Sequence, residues 1–140
     1  MKSDLIFYLA RRTSYCEKAL KKQLEDLSIG LNQVTASTTP VMLGEKLIES
    51  LNRCNLVFII GGLGFTGKNG LSDVLSKALS ATKVTSADVR KLKNNLGKQY
   101  GYLIRCGKQM IIALPDKPEE LSEMFSPALI RCIREIYPAQ

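Results

Sequence analysis

The stretch NLVFIIGGLGFTGKNG, residues 55–70, joins the apolar run Leu56, Val57, Phe58, Ile59 and Ile60 to a segment holding five glycines. A run this short and continuously apolar suits a strand buried on both faces, as in a parallel sheet covered by helices on either side. Glycines crowded behind such a strand let the backbone turn sharply and let a bound group come close, often a phosphate.

Working outward, residues 4–10 (DLIFYLA) form a second compact apolar run, and residues 15–27 then place Ala19, Leu20, Leu24 and Leu27 at helical spacing. Residues 30–36 read as a weaker strand. Thr39 before Pro40 is a good helix start, because threonine caps orphan amides and proline at the first position loses no hydrogen bond. That helix is expected to run to about residue 52, with Leu43, Leu47, Ile48 and Leu51 on one stripe.

Downstream of the glycines, residues 71–79 read as a helix, and Ser86-Ala87-Asp88 is expected to open a short polar helix through residue 96. Residues 100–105 and 109–114 read as a hairpin about Cys106-Gly107-Lys108, and residues 118–137 as a last helix that Pro127 bends or splits. Strands alternating with helices, closed by a late hairpin, predict an α/β fold with a mostly parallel sheet covered on both faces.

The chain has 140 residues and 45% hydrophobic composition, the size of one ordinary domain, and no repeats or linkers divide it. Twenty basic residues against 13 acidic ones give a net charge of +7, which favours phosphates, nucleotides or other anions as partners. There is no histidine, so every mechanism that needs imidazole is excluded. Cys16, Cys54, Cys106 and Cys132 form no CxxC pair and are expected to fill apolar positions. Without a signal-like amino end, the expectation is a reduced cytoplasmic protein. No apolar run approaches the roughly 20 residues of a membrane-spanning helix.

Three readings of the glycine segment stand side by side. Gly62, Gly64 and Gly67 satisfy GxGxxG between a strand and a helix, but the segment that follows, ATKVTSADVRK, makes a poor second strand for a dinucleotide fold. Gly62 through Gly67-Lys68-Asn69 nearly spells the phosphate loop GxxxxGK[ST], with Asn69 where a hydroxyl is needed for magnesium. The third reading is a tight turn with nothing bound. Thr66, Lys68 and Asn69 among the glycines, in a basic chain, favour an anion or nucleotide site.

The run NLVFIIGGLGFTGKNGLSDVLSKAL resembles the core motif of the molybdopterin-binding domain shared by MogA- and MoaB-type molybdenum cofactor biosynthesis proteins and by the amino-terminal domain of CinA-type proteins. IIALPDKPE, residues 111–119, resembles that family's second motif, in the corresponding place after a hairpin. The resemblance implies a three-layer αβα sandwich, a homotrimer, and a ligand that is a pterin phosphate such as molybdopterin, or a nucleotide such as ATP with magnesium.

Residue by residue, Gly61, Gly62, Gly64 and Thr66 match family positions implied to present backbone amides to phosphate. Lys68 stands where one branch carries arginine, Asp73 matches an acidic position, and Pro115, Pro118 and Glu119 match the second motif. The departures fall on acids: Asn69 replaces an aspartate, residues 36–42 lack a carboxylate, and Asp116 replaces a glycine. Leu71 also replaces a threonine, and Arg11-Arg12-Thr13-Ser14 lacks the family's glycines and acids.

A retained glycine frame beside missing carboxylates predicts ligand binding with reduced or lost catalysis. Two alternatives remain. An active magnesium-dependent adenylyltransferase or nucleotide pyrophosphatase would use Asp73 or Asp116 in place of the lost acids, and a non-catalytic oligomeric scaffold would use the fold alone.

Arg11 and Arg12 are further ligand candidates, because they follow the carboxyl end of the first strand, where open α/β sheets bind. Lys18, Lys21 and Lys22 read as a solvated helix face. The basic residues Lys83, Arg90, Lys91, Lys93 and Lys98 lack interleaved aromatics or a nucleic-acid module, which argues against nucleic acid.

Overall fold

Why the middle of the chain is so apolar is plain from its position: strand β3 (Leu56–Ile60) lies third in a six-stranded sheet and is buried along its whole length. The structure is a computed structural model that describes residues 1–64, 70–80 and 88–138, without the side chains of residues 72 and 77–80. Thr66, Lys68 and Asn69 lie outside the described residues, as do residues 86 and 87.

In chain order the elements are β1 (Lys2–Tyr8), α1 (Thr13–Glu25), β2 (Gly30–Ser37), α2 (Pro40–Arg53), β3, α3 (Leu71–Ser80), β4 (Asp88–Leu92), β5 (Gly101–Cys106), β6 (Gln109–Leu114), α4 (Pro118–Glu123) and α5 (Pro127–Ile136). The sheet order is β2-β1-β3-β6-β5-β4. Strands β2, β1, β3 and β6 are mutually parallel, and β5 pairs antiparallel with both β6 and β4.

Alternate residues of each central strand enter different cores. Leu5, Phe7, Leu56, Phe58, Ile60, Met110, Ile112 and Leu114 pack with Cys16, Leu20 and Leu24 of α1 and with Leu121, Leu129 and Ile133 of α4 and α5. Ile6, Tyr8, Val57, Ile59, Ile111 and Ala113 pack with Leu43 and Leu47 of α2 and Leu71, Val74 and Leu75 of α3. The period-two alternation of a strand is present, but because both faces are covered it leaves no polar mark in the sequence. The result is the three-layer αβα arrangement with a mostly parallel sheet.

The helix starts follow local chemistry. Thr39 caps α2, its hydroxyl accepting from the Met42 amide at 3.2 Å, with Pro40 in the first turn. The last helix is split rather than bent: α4 stops, Ser126 caps α5 by accepting from the Leu129 amide at 3.2 Å, and Pro127 sits where its missing N–H costs nothing.

One element differs from the sequence reading. Residues 88–92 are not part of a polar helix but form the edge strand β4, registered on β5 with Val89 opposite Ile104 and Leu92 opposite Gly101. The cap-like Ser86-Ala87-Asp88 is a local signal, and pairing with a neighbouring strand overrides it. An edge strand at the end of the sheet also needs no apolar face: Asp88, Val89, Arg90 and Lys91 are all exposed.

Candidate functional site: a cationic cleft at the carboxyl edge of the sheet

From β1 the chain moves outward to β2, then returns across β1 to β3 on its other side, so strand order reverses between β1 and β3. In open α/β sheets the loops leaving the carboxyl ends of two such strands diverge and leave a crevice. Here the crevice is a cleft of about 370 Å³, lined by Leu9, Arg11 and Arg12 after β1, Gly62, Leu63 and Gly64 after β3, Asp116 and Lys117 after β6, and Gln99 before β5.

The loop after β1 is shaped by two non-glycine residues with positive φ, Leu9 at 49° and Arg12 at 53°. Arg12 is also the amino-terminal cap of α1, where its guanidinium, a donor only, cannot accept from the helix amides. The Arg11 amide donates to Oδ2 of Asp116 at 2.7 Å, which joins the loop after β1 to the loop after β6.

Gly61 and Gly62 have φ of 104° and 75°. A Cβ on Gly61 would lie 2.3 Å from the carbonyl oxygen of Tyr8, and one on Gly62 would lie 2.4 Å from the Tyr8 ring. Both glycines are therefore required by the close passage of the two loops. The Gly61 amide donates to the Leu114 carbonyl at 3.1 Å, so it closes the sheet end. At Gly64 an added Cβ would meet Nε2 of Gln99 at 2.9 Å, which puts the Gln99 amide over the glycine.

Gln99 is held from behind. Asn94 Nδ2 donates to the Gln99 carbonyl at 3.1 Å and to Oε1 of the buried Glu120 at 2.6 Å. Gly97 passes so close to Glu120 that a Cβ there would displace the Glu120 carboxylate from its Asn94 bond. Lys117 Nζ lies 3.5 Å from Oε2 of the same carboxylate.

Of the residues singled out in the sequence, the structure brings Arg11, Arg12, Gly62, Gly64 and Asp116 to one cleft, while Gly61 packs against Tyr8 and Ala10 beside it. Pro115 is buried between β6 and α4, and Glu119 is exposed in the first turn of α4. Asp73 is exposed in the first turn of α3, where a carboxylate favours the helix dipole, and it is not among the lining residues. Lys18, Lys21 and Lys22 are exposed on α1.

Cys16 is fully buried on α1. Burial pushes its thiol up to about 11, the charges of Asp116 and Glu119 push the same way, and Arg12 opposes them. Cys54 is likewise raised to about 11, chiefly by burial, so neither is an activated thiolate.

Sequence reading missed Lys117 and Gln99. The rule that selected Arg11 and Arg12, applied to the carboxyl end of the sixth strand, selects Lys117 as well. Gln99 had no comparable signal, since its segment joins two strands and carries no motif.

The probable molybdopterin binding domain family matches residues 8–135. The chain belongs to that family. No curated protein matches it in sequence. Among solved structures it is similar to CinA of unknown function from Thermoplasma acidophilum, with 16% identity, a TM-score of 0.71 and 96% of each chain covered. It is similar to the molybdopterin biosynthesis enzyme MoaB from Thermus thermophilus, at 13% identity and a TM-score of 0.70 over 99% of this chain and 97% of that one. The molybdopterin biosynthesis Mog protein from Mycobacterium ulcerans gives 14% identity and a TM-score of 0.69 over 96% and 98%. At these identities the likeness establishes the shared fold. Among the described residues no helix is long and apolar enough to cross a membrane.

Proposed function

We propose that the chain binds a phosphate-bearing pterin, molybdopterin or a precursor, or a nucleotide, in the cleft at the carboxyl ends of β1, β3 and β6, with catalysis reduced or lost. The observation that carries this reading is the convergence of Arg11, Arg12 and Lys117 with Gly62 and Gly64 where strand order reverses. Guanidinium groups match phosphate oxygens in pairs, and glycines let the backbone approach them. Membership in a probable molybdopterin binding family, and the biosynthetic roles of MoaB and Mog, support the pterin. The reading includes a homotrimer acting in the cytoplasm.

Thermal shift against molybdopterin precursor, ATP, AMP, ADP-ribose and NAD tests the reading, alongside Gly64→Asp. The aspartate side chain would crowd Gln99 and set a negative charge in the cleft. A ligand-induced rise that the variant loses is the expected result. No rise with any ligand would reject the reading in favour of a scaffold, and light scattering on the same sample would report the trimer.

A further inference from the structure

The magnesium that family resemblance implies is a hard cation that seeks oxygen, taking one or two carboxylates and an octahedral shell. The cleft offers a different donor set. Its described lining holds the cations Arg11, Arg12 and Lys117 against a single carboxylate, Asp116, and Oδ2 of that carboxylate already accepts from the Arg11 amide at 2.7 Å.

The loops leaving three of the four parallel strands carry the same message through their sequence, and the fourth, after β6, holds Asp116 itself. Residues 9–16 after β1, 36–44 after β2 and 61–72 after β3 contain no aspartate or glutamate at all. The first acids beyond them, Glu17, Glu45 and Asp73, all fall within the helices that follow. Among the described residues no three acidic or cysteine side chains gather as a metal-binding group. Among the described residues, one carboxylate already engaged by a backbone amide and set among three cations does not fit magnesium.

We propose that the cleft neutralises its ligand's phosphate with side-chain cations and takes that ligand without a divalent metal. The inference rests on the phosphate-ligand reading above. A planar guanidinium does for a phosphate what a metal would do, supplying positive charge and fixed direction through paired N–H donors. Asp116 then acts as a positioning residue: it holds the Arg11 backbone and sets the course of the loop that carries both arginines. A divalent cation in solution would compete for the ligand's phosphate oxygens rather than bridge them to the protein.

The test is calorimetric titration of the full chain with inorganic pyrophosphate, first in EDTA and then with magnesium in excess. Binding in EDTA, weakened by magnesium, is expected. Arg12→Asn keeps a residue that tolerates positive φ, and Lys117→Gln keeps most of the side chain's length while removing its charge. Each is expected to weaken binding about tenfold or more, the value of one charge-assisted hydrogen bond.

Binding that appears only with magnesium would overturn this inference and leave the phosphate reading standing. No binding under either condition would overturn both. Undiminished binding by both variants would overturn the assignment to these cations. The EDTA comparison uses the unaltered chain, so it decides the question even where a variant folds poorly.

Discussion

The amide of Arg11 and the carboxylate of Asp116, 105 residues apart in sequence, meet at 2.7 Å and draw the first and sixth strands' exit loops together. Asp116→Asn keeps an oxygen acceptor for this bond and removes a negative charge from beside the arginines. Pyrophosphate in EDTA is expected to bind the Asn variant at least as tightly as the unaltered chain. A carboxylate holding a metal would instead show itself in the magnesium arm, where the Asn variant would lose binding that the unaltered chain has.

The passage of the loop after β3 across Tyr8 makes a stability prediction. Gly61→Ala combines a φ of 104° with an approach of 2.3 Å to a backbone oxygen, which cannot swing aside. A loss of about 3 kcal/mol or more is expected in urea unfolding. Gly107→Ala, also at positive φ but with open space around it, should lose only about 1 kcal/mol.

At the opposite end of β1, Asp4 is almost fully buried, and Arg53 reaches its Oδ2 through Nη2 at 2.9 Å and Nε at 3.2 Å. Burial pushes the Asp4 carboxyl up, but hydrogen bonds from Ser50, Arg53 and Cys54 and the charge of Arg53 outweigh it and hold the group below its ordinary 3.8. A depressed folded-state value stabilises the fold above the unfolded-state value and loses that share as pH falls through the folded one. The unaltered chain should therefore lose stability below about pH 4 more steeply than Asp4→Asn. At neutral pH Asp4→Ala is expected to cost about 3 kcal/mol, because it leaves a half-buried guanidinium without its acid. Chemical denaturation across pH checks both.

Asn94 joins the loop of residues 93–100 to Glu120, and the loop brings Gln99 to the cleft. Asn94→Ala leaves the Glu120 carboxylate buried with one partner fewer. A loss of about 1–3 kcal/mol follows from that, with faster amide exchange confined to the loop and α4. Mass-resolved hydrogen exchange separates this local release from global unfolding.

Much of this architecture can be read from the residues, and for physical reasons. The central strands are buried on both faces, so LIFY and LVFII announce themselves, and the helices carry one apolar stripe each. The edge strands announce far less. β2 exposes Asn32, Gln33 and Val34, while β4 exposes Arg90 and Lys91, because one side of each strand has no neighbour to bury it. A short exposed strand behind a cap-like tripeptide reads as a helix until its partner β5 is known.

The cleft was half legible for a similar reason. Arg11, Arg12, Gly62 and Gly64 follow apparent strands and obey a rule of sheet edges. That Asp116 grips a backbone amide, or that Gln99 covers Gly64, depends on contacts between loops remote in sequence, which no local pattern encodes.

Strand β5 runs against its neighbours, so the segment that enters it, rather than one that leaves it, reaches the carboxyl edge. One wall of the cleft is thereby carried by a connector between two peripheral strands. Apart from Asn94 and Gly97, which are tied to Glu120, its side chains make no contact among the described residues that the four parallel strands depend on. Gln99 can thus be exchanged to reshape the cleft while the strands that frame it stay as they are.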